Sequence, residues 1–297
     1  MAEFAIALRV AVRLVRQMIR TLISLLLLAT TVTPGRAGDF QGIAGLQLYS
    51  LREQFKTDVP GTLDEVQAWG IKEVETAGTY GLTPEKFREL LEARGLKAVS
   101  GHFKYELLAG DIDGVIREAK ALGVQYVACA WIPHTPTEFN EEVTRRAAVD
   151  FNRAGEALAK AGLKFAYHAH GYEFAPFGDG TYFDLLVKET KPGFVNFEMD
   201  VFWITHPGKN PAELLAKYPD RWSLMHLKDI RKGAKTGIFT GKAALPDDVI
   251  LGTGQVDWPM VLRAAAKAGV KHYFIEDESP TVEAQIPESL KYLQTLK

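Results

Sequence analysis

The chain has 297 residues, of which 47% are hydrophobic and 24% charged, a balance that allows a large buried core. Its formal net charge of −2 speaks against a sequence-independent grip on nucleic acid, which needs a basic field. A single cysteine, Cys129, excludes an internal disulfide, and its apolar setting, Tyr126-Val127-Ala128-Cys129-Ala130-Trp131, reads as a buried thiol.

Residues 1–38 have the parts of a signal peptide. Arg9, Arg13, Arg16 and Arg20 precede an apolar run from Leu22 to Val32, and Gly35 and Ala37 are small residues placed for a cut after Ala37. Met18 offers an alternative start, because residues 18–37 make a complete signal alone. The competing reading, an uncleaved anchor, is weakened by an apolar run that is short for a hydrocarbon layer of about 30 Å. The expectation is an exported protein, periplasmic or secreted, with no stable membrane span after cleavage. Residues 39–297 then form one domain.

From Gly42 onward a short apolar strand alternates with an amphipathic helix. The junctions repeat a helix-Gly-strand phrase: Trp69-Gly70-Ile71, Arg94-Gly95-Leu96, Leu122-Gly123-Val124, Ala161-Gly162-Leu163 and Ala268-Gly269-Val270. Glycine is favoured where a helix ends through left-handed dihedrals. Strands are expected near 44–49, 72–75, 96–101, 124–130, 163–167, 194–198, 222–226 and 272–276. Helices are expected near 60–69, 83–94, 110–122, 138–161, 181–190, 210–217, 258–268 and 283–296. Eight such units predict a single α/β domain, a closed (β/α)8 TIM barrel. No Gly-x-Gly-x-x-Gly turn follows the first strand, so a dinucleotide fold has no support. The long connection from Ile230 to Gly254 reads as a functional loop.

In such barrels the reacting groups stand at the C-terminal strand ends. Those ends carry Glu75, His102, His168 and His170 with Glu173 close behind, then Asp200, His226 with Lys228, and Glu276. Each alone reads as an ordinary surface or hydrogen-bonded residue. Together they converge on one axial point, where carboxylates without a cation would repel each other. One divalent metal ion resolves the conflict. Mixed imidazole and carboxylate ligands suit Mn, Mg, Co, Fe or Zn without choosing among them.

The phrases around these residues are Tyr167-His168-Ala169-His170-Gly171-Tyr172-Glu173-Phe174, Met199-Asp200-Val201-Phe202-Trp203, His226-Leu227-Lys228-Asp229, Gly252-Thr253-Gly254-Gln255-Val256-Asp257-Trp258 and Ile275-Glu276-Asp277. In this order they resemble the xylose-isomerase-like barrel superfamily of sugar (phosphate) isomerases and epimerases, over roughly residues 42–297. The resemblance is greatest to a branch linked to 3-keto-sugar processing. It implies Asp200, His226 and Glu276 as metal ligands. The superfamily's usual glutamate after strand five is replaced here by His168, so the fourth ligand stands open between His168 and Glu173. Related epimerases use two metal-bound glutamates as a proton-transfer pair. Here only Glu276 has an equivalent place, leaving His168, His170, His102 or Glu75 to supply the second group.

The reaction this implies is enolisation beside a carbonyl of a free sugar or keto-sugar, giving isomerisation or epimerisation. A 3-keto-glycoside lyase or hydrolase acting by β-elimination is the alternative on the same metal, and a non-catalytic exported sugar-binding protein is the alternative of another class. A metal-dependent phosphodiesterase of the same barrel class is a further rival, and seven histidines are few for its three-metal cluster. Catalytic candidates are Glu276, His170, His102, Glu75 and Lys228. Lys228 has a structural reading beside its catalytic one, an ion pair with Asp229 or another barrel carboxylate. Tyr49, Phe103, Trp131, Trp203 and Phe239 are candidate sugar-facing walls, with core packing as their plain reading, and Arg52 meets an anion or a neighbouring carboxylate. The expected partner is a small sugar and no nucleic acid; self-association is open.

Expressed with its leader in a bacterium, the exported protein is expected to begin at Gly38. Intact-mass measurement of the soluble fraction checks this, and retention of residues 1–37 in membranes would mark an anchor instead.

Overall fold

The computed structural model describes residues 40, 42–135, 139–238 and 243–297. The leader at 1–38 and Phe239 therefore lie outside the described residues. The barrel strands are β1 Ala44–Gln47, β2 Glu73–Thr76, β3 Lys97–His102, β4 Tyr126–Cys129, β5 Lys164–His168, β6 Val195–Asp200, β7 Trp222–Leu227 and β8 His272–Ile275. All pair in parallel with their neighbours in chain order, and β1 pairs with β8 to close the sheet. The crossover helices are α1 Val59–Ala68, α2 Pro84–Glu92, α3 Ile112–Leu122, α4 Glu141–Lys160, α5 Tyr182–Glu189, α6 Pro211–Lys217, α7 Trp258–Ala268 and α8 Val282–Thr295. The single α/β barrel expected from the repeat is thus what the chain forms.

Local chemistry sets the helix limits. Side-chain oxygens of Asp58, Thr83, Asp111, Asn140, Thr181, Asn210 and Asp257 accept from first-turn N–H groups of α1 to α7. The glycine of the repeated phrase closes the helix, as at Gly123 after α3, where φ is +77°. The outer strand faces pack on the helices. Phe151 of α4, for example, lies 4.9 Å and 5.0 Å, ring centre to ring centre, from Phe165 and Tyr167 of β5.

A separate buried cluster of Val99, Tyr126, Ala128, Ala166, Leu224 and Phe274 includes residues of the inner face. Side chains two apart on a strand share a face. Ala166 therefore fixes the facing of His168, Leu224 that of His226, and Phe274 that of Glu276. An apolar layer thus sits directly beneath a polar one.

The end of the connection after β7 is gathered around the Asp229 carboxylate. Asp229 is fully buried and accepts from the backbone N–H groups of Ile230 (2.9 Å), Gly252 (2.9 Å), Gly254 (3.2 Å) and Val256 (3.3 Å), and from Trp258 Nε1 (2.9 Å). This explains the Gly-x-Gly-x-x-Asp-Trp phrase. A Cβ on Gly254 would lie 2.1 Å from Asp229 Oδ1, so only glycine lets the backbone approach.

Asp229→Ala orphans several buried donors at once and is expected to cost about 3 kcal/mol or more. Gly254→Ala is expected to be similarly harmful through the clash. Urea unfolding measures both, and a loss below about 1 kcal/mol for Asp229→Ala would mean that something else holds the loop.

Candidate metal centre

The register brings the strand-end residues level with one another. Gln47 pairs with Glu75, His168 with Glu198 and Asp200 with His226 across adjacent strands. Glu276 follows β8 directly. Two sets of donor atoms result, each lying within 4.8 Å of one another: Asp200, His226 and Glu276, and His102, His168, Glu198 and His226.

Each imidazole has two nitrogens, and this separates the sets. His226 Nε2 is committed to Glu75 Oε2 at 2.6 Å. Its Nδ1 faces the other way, 3.0 Å from Glu276 Oε2 and 3.6 Å from Asp200 Oδ2. His168 Nδ1 is 3.2 Å from Glu198 Oε2, while its Nε2 is 3.9 Å from Asp200 Oδ2. His102 Nε2 lies 3.1 Å from both Glu75 Oε2 and Glu198 Oε2, and Gln47 Nε2 donates to Glu75 at 2.6 Å. In the deeper set one oxygen of each carboxylate is bonded, while Glu75 Oε1 and Glu198 Oε1 have no hydrogen-bond partner. Asp200 Oδ2, which faces His226 Nδ1 and His168 Nε2, is likewise buried without one.

The donor set fits a divalent cation. Metal bonds of 2.0–2.2 Å in a tetrahedron put ligand atoms roughly 3.4 Å apart. Within the Asp200, His226 and Glu276 set, His226 Nδ1 lies 3.0 Å from Glu276 Oε2 and 3.6 Å from Asp200 Oδ2, and His168 Nε2 of the other set lies 3.9 Å from Asp200 Oδ2. Behind the set, Glu75 and Glu198 each back one of the two imidazoles. Such carboxylates fix the tautomer of a ligating histidine.

Charges respond to this crowding. Burial opposes charge on His226, yet Glu198 and Glu276 hold it well above the ordinary imidazole range. Burial likewise opposes His102, but Glu75 and Glu198 push it up to about 10. Burial would raise Glu276 and Glu198, but Lys228 and His226 hold the first, and His226 chiefly the second, well below the usual carboxylate range. His170 goes the other way: burial, then neighbouring His168, pull it well below ordinary imidazole values. Its Nδ1 is buried without a hydrogen-bond partner. Its ring is 4.5 Å from His168, 5.5 Å from Trp131 and 5.7 Å from Trp203.

Residues 63–296 match the Xylose isomerase-like TIM barrel family.

The chain belongs to that family.

Among curated relatives, an inosose dehydratase of Clostridium botulinum (strain Alaska E43 / Type E3) is 24% identical over 275 residues, covering 79% of this chain and 87% of the relative. A solved sugar phosphate isomerase/epimerase from Parabacteroides distasonis ATCC 8503 is 26% identical with a TM-score of 0.70, covering 90% of this chain and 96% of that one. The IolI protein, solved with a bound zinc atom, is 16% identical with a TM-score of 0.66, covering 85% of this chain and 97% of that one; it shares the Xylose isomerase-like fold.

Among the residues singled out from sequence, Asp200, His226, Glu276, His168, His102 and Glu75 come together, and His170 stands beside them. Glu173 does not join either donor set. Its carboxylate accepts from the Tyr167 hydroxyl and from the His170 backbone N–H at 3.1 Å, holding the loop after β5 in place. Lys228 is paired with Glu278 (2.6 Å), Glu276 (3.5 Å) and Asp248 (3.8 Å) rather than with Asp229. Arg52 meets Glu278 at 3.5 Å and lies over the Tyr49 ring. Phe103 is core, whereas Trp131 is 39% exposed. Cys129 is buried and its thiol is pushed up to about 12, as an inert structural cysteine requires.

Sequence reasoning passed over Glu198 and Gln47. The signal for Glu198 was present: it lies two residues before Asp200 on one strand, so any argument that aims Asp200 inward aims Glu198 inward too.

Burial pushes the Glu173 carboxyl up from the ordinary 4.5 to about 7, against hydrogen bonds from Tyr167 and His170 that lower it. A raised folded-state value means the native protein holds this proton more tightly than the unfolded chain. The resulting stability is complete below pH 4.5 and is lost as pH rises to about 7. Glu173→Gln removes this slope. Between pH 4.5 and 7 the wild type is expected to lose on the order of 3 kcal/mol relative to the variant. Chemical denaturation of both across that window checks it, and parallel curves would contradict it.

Proposed function

We propose that this chain is a divalent-metal-dependent enzyme that enolises a keto-sugar or keto-cyclitol beside its carbonyl, with loss of a β-oxygen substituent as the favoured outcome and isomerisation or epimerisation as the second. The observation that carries this reading is Asp200 Oδ2, buried and unpartnered, flanked by His226 Nδ1, Glu276 and His168 Nε2 at the barrel mouth. Asp200, His226, Glu276 and His168 would hold the ion; His168 takes the place left open between it and Glu173. The zinc in the IolI structure and the dehydratase and isomerase names of the relatives support the same class.

A divalent ion bound there supplies Lewis acidity, which lowers the cost of the charge that develops on a carbonyl oxygen. The chain's own residues do the rest. His170, partly buried beside the cluster and kept neutral by burial and by His168, is the imidazole proposed to accept the α-proton. The electrons left behind enter the carbonyl system as an enolate. They then expel the β-oxygen, which leaves with a proton, or are reprotonated at carbon. Trp131 and Trp203 flank His170 and would shield the site from bulk water. Glu75 and Glu198, clamped together by His102, orient the two ligating imidazoles. Export of the enzyme by its leader is part of the proposal, and it makes a free sugar a better substrate than a phosphorylated intermediate of the cell interior.

The test is proton NMR in deuterated water with metal-loaded protein and a panel of inososes, aldoses, ketoses and 3-keto-glycosides. Deuterium uptake next to the carbonyl and release of the β-substituent are expected, both stopped by a chelator. Glu276→Gln and His170→Gln are each expected to lower uptake at least 100-fold. Glu198→Gln is expected to weaken metal affinity 10–100-fold while leaving the fold intact. Full activity after chelation would end the metal proposal, and tight sugar binding without any exchange would make this a binding protein.

A further inference from the structure

Beside the metal centre lies a polar cluster that the proposed reaction does not use. Lys228 is 2% exposed, and its ammonium stands among Glu278, Glu276 and Asp248 at 2.6, 3.5 and 3.8 Å. It also lies over the rings of Phe202 and Trp203, at 5.4 and 5.6 Å from their centres. A cavity of about 240 Å³ opens here, walled by Phe202, Trp203 and Ala244 and edged by Lys228, Asp248 and Glu278. Glu276 belongs to the metal set, so the cavity and the metal centre are one ion pair apart.

Its charge limits what it can take. Three carboxylates surround one ammonium. The neighbouring cation, Arg52, is itself paired with Glu278 and placed over Tyr49. A phosphate entering the cavity would have to detach Lys228 from its partners and face carboxylates on several sides. A neutral polyol meets no such penalty. Its hydroxyls can donate to Asp248 and Glu278 and leave the Lys228 ion pairs in place, while the C–H face of a ring lies on the two aromatic side chains.

We infer that this cavity is a second-ring subsite: it binds a neutral, polyhydroxylated group joined through oxygen to the ring held at the metal centre, and it selects against phosphorylated sugars. The inference rests on the proposed function for the identity of the first ring. The selection runs against the phosphate in the names of the solved Parabacteroides relatives.

Equilibrium titration of the full chain with cellobiose, trehalose, glucose and glucose 6-phosphate tests it, because binding is read without turnover. Ala244 is exposed on its loop, so Ala244→Trp fills the cavity without touching the metal set, and Ala244→Ser serves as the fold control. At least one disaccharide is expected to bind 10-fold or more tightly than glucose or glucose 6-phosphate. Ala244→Trp is expected to remove that advantage, and Asp248→Asn to narrow the gap to the phosphate. The subsite is overturned if no disaccharide binds, if glucose 6-phosphate binds as well as the disaccharides, or if Ala244→Trp leaves the preference intact. Absence of deuterium uptake alongside intact disaccharide selectivity would sink the reaction and leave the subsite standing.

Discussion

Four carboxylates, those of Glu75, Glu198, Asp200 and Glu276, are buried in one layer of this barrel, and the rest of the site is arranged around that cost. Isolated buried carboxylates are prohibitive unless paired or coordinated. His102 and His226 are driven toward their cationic forms by these neighbours. Lys228 is shared with Glu278 and Asp248 outside the layer, so it cannot neutralise the layer alone. The layer stays anionic, with Asp200 Oδ2 lacking even a hydrogen bond. A divalent cation seated there would displace a proton from His226 and bring more positive charge than it removes.

The two-sided chemistry of imidazole makes such an arrangement possible. His226 and His168 each turn one nitrogen toward Asp200 and the other toward a deeper carboxylate. The deeper carboxylates are held in turn by His102 and, for Glu75, by Gln47. The orientation of these two imidazoles, the proposed ligands, therefore depends on contacts from β1, β2, β3 and β6. This is why the site needs a closed barrel: an open sheet would not bring the first three strands opposite the last three.

The helix-Gly-strand repeat made the architecture legible, because each phrase reports a local event, a helix ending in a left-handed turn. The strand-end residues were legible for a similar reason, since parallel barrels collect their polar groups at one end. What escaped was contact between strands far apart in sequence. Glu198 was hidden by attention to terminal residues, although its spacing from Asp200 betrays it. Gln47 gave no charge signal, and its role comes only from its register with Glu75. Glu173 looked like a spare ligand because spacing ignores the path of the loop, which turns its carboxylate back onto Tyr167 and the His170 N–H. Asp229 looked like a partner for Lys228 because they are adjacent. On a strand, adjacent side chains point to opposite faces, so Asp229 was free to organise the following loop instead.

His168, standing where the resemblance to the superfamily implies a glutamate, bears on which reaction the proposed enolate undergoes. Epimerisation returns a proton to the face opposite the one that lost it, and so asks for two acceptors of matched strength across the substrate. His168 spends Nδ1 on Glu198 and turns Nε2 toward Asp200, leaving no nitrogen for a proton shuttle. Of the two β5 histidines, that leaves His170 without a partner for Nδ1, beside the cluster. Any second group is then a carboxylate or His102, which its carboxylates hold at about 10 while His170 is pulled well below the ordinary range, so the two are not a matched pair. Expulsion of a β-oxygen needs no second carbon-directed proton transfer, and a lone histidine can pass the proton it has taken to the departing oxygen. On this argument the substitution that weakens the match to two-glutamate epimerases is the same one that favours elimination.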